Sequence, residues 1–246
     1  LEREKMKPSN INQATHKLAN FAFGALFTIA SVASTARADL PSIASELSAD
    51  DLAKVRANED AVMTEDVDGS VWPKVFVYRK FAASPKELAA VFADYERHRL
   101  FFEGISRSDV TTWTDRQTAE VAYTMSFPVV LGITIPDEHY KVSDRASTYD
   151  SATGKAYQVA WSFVEATTMK FLEGSARFEP FEGGTLLAYY NFINPPKPAL
   201  ARLLVRQNID RVRSATAAIG KEHQRIKEKD AALLATELTA LERMLQ

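Results

Sequence analysis

The sequence predicts an α+β fold, a curved antiparallel β-sheet wrapped around a long C-terminal α-helix. Three observations point to it. Between residues 106 and 194, short runs of alternating apolar and polar residues are separated by hairpin turn signals. Ahead of them stand one strand and one well-capped helix. Behind them, after Pro195, Pro196 and Pro198, comes an amphipathic stretch of helical period. A sheet with one apolar face must cover that face, and one long helix of matching length does so.

The elements follow in order. Residues 1–38 have the three parts of a secretory signal peptide: Lys7, His16 and Lys17, then an apolar run from Leu18, then Ser34-Thr-Ala-Arg-Ala38. Ala36 and Ala38 are the small residues a signal peptidase requires, so cleavage is expected after Ala38, which implies a periplasmic or secreted protein. The apolar run, about 15 residues, falls short of the roughly 20 that span a bilayer. Residues 39–70 read as a polar lead-in with one short helix capped by Ser48. Val75, Val77 and Phe81 fall on one face of a strand over 74–81. Ser84-Pro85-Lys-Glu87 then starts a helix, with Ser as N-cap, Pro at the first helical position and Glu at the capping-box position. A second short helical piece is expected at 100–102.

Strands are expected over 106–113, 119–127, 137–144, 156–164, 170–178 and 185–192. Their turns are Thr114-Asp115-Arg116, Asp150-Ser-Ala-Thr-Gly154 and Glu182-Gly-Gly184. The connection 128–136 is too apolar for an idle loop. Residues 199–229 read as one continuous helix whose apolar stripe includes Leu200, Leu203, Leu204, Ile209, Val212 and Ile219. Asp230 caps a further helical extension over 230–246.

Composition narrows the functions. The chain has 246 residues, 46% hydrophobic, with a formal net charge of -2. Five basic residues lie in the first 38, which leaves the remainder more acidic and without the cationic face that nucleic acid requires. There is no cysteine, hence no disulfide, thiolate metal site or cysteine nucleophile. His98, His139 and His223 lack partners at metal-ligand spacing, and no phosphate loop or nucleophile elbow occurs. Neither a metal nor a cofactor is expected, and no catalytic residue stands out. Asp94 reads as a helix-end group.

The segment Phe81-Ala-Ala-Ser-Pro-Lys-Glu-Leu-Ala-Ala-Val-Phe-Ala-Asp94-Tyr95, followed by Phe101-Phe102-Glu-Gly-Ile105 and Ser108-Asp-Val110, resembles the START-like (SRPBCC) superfamily of polyketide cyclase/dehydrase, lipid-transport and coenzyme Q-binding type. Gly174-Ser-Ala-Arg-Phe178-Glu-Pro180 and the final helix are similar to the family's C-terminal half. The resemblance covers roughly residues 71–229 and implies a helix-grip domain enclosing a hollow for an apolar ligand.

By alternation the strands turn Val121, Tyr123, Met125 and Phe127, then Tyr157, Val159, Trp161 and Phe163, to one side. The expected ligand wall is Trp113, Tyr123, Met125, Phe127, Tyr157, Trp161, Phe163 and Tyr189, closed by Leu203, Leu204 and Asn208 of the long helix. The expected function is binding of a lipid, sterol, hopanoid or quinone in a cavity of roughly 300 to 1,000 Å³, as carrier or sensor. Two alternatives stand beside it: a cyclase/dehydrase-type enzyme using the same cavity, and a protein-interaction module built on the last helix. Arg202, Arg206, Arg211, Arg213, Lys221, Arg225, Lys227 and Lys229 could also lean transiently on a membrane surface. A monomer is expected.

Overall fold

The structure, a computed structural model, describes residues 40–127, 134–195 and 198–246. The expected signal peptide, residues 128–133 of the apolar connection and Pro196 lie outside the described residues. Eight strands form one antiparallel sheet: β1 (Ala61–Glu65), β2 (Lys74–Phe81), β3 (Ile105–Trp113), β4 (Thr118–Met125), β5 (Glu138–Ser151), β6 (Gly154–Ala166), β7 (Phe171–Phe181) and β8 (Gly184–Asn194). The spatial order is β1-β2-β8-β7-β6-β5-β4-β3, so the first long strand pairs with the last and the chain must cross from β2 to the far edge at β3. That crossing is made by α2 (Pro85–Ala93) and α3 (His98–Phe101).

The start of α2 forms as its sequence dictates. Ser84 Oγ accepts the Glu87 amide at 3.2 Å while Glu87 returns a carboxylate oxygen to the Ser84 amide at 3.1 Å. Leu88, Ala89, Val91 and Phe92 are buried, and Phe92 meets Trp161 and Phe178 of the sheet at 5.9 and 6.0 Å between ring centroids.

Three features differ from the sequence-based expectation. The lead-in is joined to the sheet: after α1 (Ala49–Arg56), residues 61–65 pair with β2 from Ala61↔Tyr78 to Glu65↔Lys74. Ile43, Val55 and Ala61 pack with Tyr78, Leu186 and Ala188 into a core of their own. The buried Glu179 holds this segment by accepting from Ser42 Oγ at 3.0 Å and the Ile43 amide at 2.9 Å. Only five residues long and without clean alternation, β1 has a weak local signal and is made by its partner strand.

Second, the long helix is broken. α4 (Pro198–Leu203) stops at Leu204, and α5 (Val205–Lys229) begins after it. The indole N–H of Trp72 donates to the Ala201 carbonyl at 2.8 Å, and the Leu204 amide bonds the same oxygen at 3.0 Å, a tighter three-residue closure that ends the turn. Third, strands β5 to β8 are longer than predicted, each running on into its turn.

α6 (Ala231–Met244) does not continue α5. Asp230, at φ -153°, breaks the axis and caps the new helix by accepting the Leu233 amide at 3.1 Å. Leu234 packs with Val91 and Ile226, so α6 docks on α2 and α5 of its own chain. No helix among the described residues is long and apolar enough to cross a membrane.

Candidate functional site

Between the sheet, the α2–α3 crossing and α5 lies a cavity of about 130 Å³. Strand pairing makes its wall. Tyr123 stands opposite Tyr140 across β4 and β5, with rings stacked at 5.3 Å, and Trp161 stands opposite Asp144 on one side and Gly174 on the other. Gly174 is required there: a Cβ at that position would lie 2.2 Å from Trp161 Cζ2 and 2.4 Å from the Tyr190 carbonyl oxygen. The indole occupies the space that a side chain at residue 174 would need, with its ring 5.3 Å from that of Tyr189.

Tyr123, Met125, Trp161, Tyr189 and Asn208 come together around this cavity. Phe127 and Leu204 line a smaller adjoining chamber of about 30 Å³, which shares Met125, Ile193, Asn208 and Arg211 with the first. The other expected wall residues stand elsewhere. Trp113 faces the same side as its partner Ala119, but at the end of the edge strand β3, where it is 47% exposed. Leu203 is 59% exposed, because the helix break turns it outward while burying Leu204. Tyr157 is buried four residues along β6 from Trp161, about 13 Å away on an extended strand. Phe163 is half-buried at the other end, beside Phe171.

The cavity also holds polar groups absent from the expected wall. His98 is buried, and its Nε2 lies 2.8 Å from the Phe92 carbonyl, which can only accept. Nε2 therefore bears the proton, and Nδ1 accepts from the Tyr123 hydroxyl at 2.9 Å. Burial lowers the imidazole to about 4, so the ring is neutral at physiological pH. Burial likewise raises the hydroxyls of Tyr123, Tyr140 and Tyr189.

Asp144 is 4% exposed, and its Oδ2 has no hydrogen-bond partner. Burial alone pushes it up to about 8. Its signal was present in the sequence: Tyr140, Val142 and Asp144 repeat at period two on β5, a carboxylate in phase with an apolar face. Arg211, from α5, donates to Met125 Sδ at 3.3 Å and lies 5.2 Å over the Phe127 ring. Withdrawal from water lowers its basicity. Chemically, this is an aromatic hollow with a carboxyl group that is mostly protonated at neutral pH and a tyrosine–histidine pair in its wall, and a guanidinium between its two chambers.

No family model and no curated protein matches the sequence. Solved structures do. The STAR-related lipid transfer protein fragment from Xanthomonas axonopodis superposes with a TM-score of 0.56 at 14% identity, covering 67% of this chain and 93% of that one. The chain carries the START-like helix-grip fold. Human StAR-related lipid transfer protein 5 has the same fold with a TM-score of 0.54 at 9% identity, over 68% of this chain and 83% of its own. In START-like terms, α5 is the gripped helix, and the cavity lies between it and the sheet.

Proposed function

We propose that this START-like protein binds a hydrophobic small molecule in its internal cavity and acts as a carrier or sensor rather than as an enzyme. The observation that supports this reading most is the aromatic hollow between sheet and α5, in a fold also found in proteins named for lipid transfer. The driving force is desolvation, about 25 cal/mol for each Å² of apolar surface removed from water, with the polar wall groups setting orientation. At about 130 Å³ the hollow is below the range expected from the sequence and near that of an engineered cavity of about 150 Å³ that holds one benzene ring. A larger lipid, sterol, hopanoid or quinone enters as α4 and the start of α5 shift at Leu204. Mass spectrometry of organic extracts from gently purified protein is expected to find one apolar compound at near-stoichiometric amount; extracts that match a denatured control would remove the proposal.

We also propose that the protein is exported and monomeric in the periplasm or outside the cell. N-terminal sequencing of the protein from that fraction is expected to begin at Asp39, and an intact leader in the cytosol would refute export. Transient membrane contact through α5 has less support. Arg213 pairs with Asp60, Arg225 with Glu222 and Lys227 with Glu87, so much of the helix charge is already engaged.

One observation favours the cyclase/dehydrase-type alternative: Asp144 and the Tyr123–His98 pair line the same cavity, as acid–base chemistry would require. Recovery of the bound compound chemically unchanged after prolonged incubation supports the carrier, and its conversion supports the enzyme.

A further inference from the structure

Asp144 sits where an apolar residue would complete the wall. Its strand neighbours on the same face, Tyr140 and Val142, and its cross-strand partners Ala119 and Trp161 are all aromatic or aliphatic. A buried carboxyl oxygen without a hydrogen bond destabilises the fold, so its presence in a ligand-sized cavity calls for a partner that enters from outside.

The surroundings decide its protonation. Facing it are the hydroxyls of Tyr95, Tyr123, Tyr140 and Tyr189, from the segment after α2 and from β4, β5 and β8, with His98 behind Tyr123. All are uncharged near neutral pH. Of the charged residues on the cavity wall, Arg211 is engaged with Met125 and Phe127, and Glu103 is exposed. Neither contributes to the displacement of Asp144, which burial alone drives to about 8. At neutral pH the group is therefore mostly a carboxylic acid, with one O–H to donate. The Tyr123 hydroxyl cannot fill the same role, since its proton is committed to His98 Nδ1.

We infer that Asp144 is the specificity-determining residue of the cavity, and that its carboxyl group donates a hydrogen bond to the carbonyl oxygen of an apolar ligand. This rests on the cavity-binding reading proposed above. An apolar acid lacks a complementary charge at that point, and an amine would require Asp144 to ionise. A neutral carbonyl compound matches the donor without placing a charge in the hollow.

The test uses two probes of nearly equal shape, acetophenone and ethylbenzene, titrated into the full-length protein and followed by Trp fluorescence or calorimetry. The variants are Asp144→Leu, which removes the donor, and Asp144→Asn, which keeps an N–H. Leu replaces a buried polar group by an apolar one of similar size and is expected to fold. The affinity ratio of acetophenone to ethylbenzene should fall about tenfold in Asp144→Leu and be retained in Asp144→Asn, the change expected for one lost hydrogen bond. In the unaltered protein the same ratio should fall as pH rises through about 8, and in Asp144→Asn it should stay flat. Ethylbenzene binding with a ratio unchanged by Asp144→Leu overturns the inference while leaving the cavity reading intact, as does tighter binding of benzylamine than of acetophenone at pH 7. Failure of the unaltered protein to bind either probe overturns the cavity reading and the inference with it.

Discussion

At the scale of single residues, the cavity depends on contrasts of size between strands. Gly174 has no side chain so that Trp161 can lie across it, and the two are direct cross-strand partners. Gly174→Ala sets a methyl group against both the indole and the Tyr190 carbonyl, and the backbone oxygen cannot step aside. The expected cost is about 1 to 3 kcal/mol of stability, read as a lower denaturant midpoint. The displaced indole should also fill part of the hollow and weaken binding of apolar probes. A variant as stable as the parent would show that Trp161 is not held against Gly174.

At the scale of elements, α6 is secured by a carboxylate cluster around one cation. Arg97 approaches Glu222 at 2.7 Å, Glu237 at 3.6 Å and Asp94 at 3.8 Å. With three acids near one guanidinium, Glu237 is pushed up to about 7, mainly by burial and then by Asp94. Its folded value is above that of the unfolded chain, so its contribution is fully present below the ordinary carboxylate range and is lost as pH rises through about 7. Asp144 acts in the same direction at slightly higher pH. Thermal stability is expected to decline between pH 5 and 8, and Glu237→Gln should flatten that slope by roughly 1 to 2 kcal/mol. An unchanged slope would show that Glu237 does not set the pH dependence. Because Leu234 and Leu241 are buried within the chain, this helix has little apolar face left for a partner, which weighs against the interaction-module alternative.

At the scale of the whole molecule, the entry route proposed for the ligand is at the break between α4 and α5. Leu204 is buried against Trp72 and Ala201 beside the smaller chamber, and Asn208 and Arg211 line both chambers. The Trp72–Ala201 hydrogen bond anchors α4 to the segment that enters β2. Trp72→Phe keeps most of the ring and removes the donor. Losing a bond of this kind, worth about 0.5 to 1.5 kcal/mol, should speed exchange of a bound probe roughly three- to tenfold in stopped-flow measurements, with little change in the folded spectrum. Exchange at the parental rate would place the entrance elsewhere.

The sequence by itself determined the local elements and their order. The capping box at Ser84 and Glu87, the Gly-bearing hairpin turns and the alternation of β4 and β6 are short-range signals, and each produced its element where expected. Tyr123, Met125 and Trp161 were legible for the same reason, since period two assigns a side to every residue of a strand, whereas Tyr189 was legible only as a ring with a polar tip. Which of those residues meet was decided only in three dimensions. Alternation gives Tyr157, Trp161 and Phe163 the same face, but not the distance along a curved sheet or the reach of the covering helices, and Trp113 reaches that side only through a bulge between Val110 and Thr112. The break at Leu204 depends on Trp72, more than a hundred residues away, and no helical periodicity records that contact. Asp144 marks the same divide: its phase on β5 was readable, but its lack of a partner and its place beside Tyr123 and Trp161 came from the packing of three strands against α2 and α5.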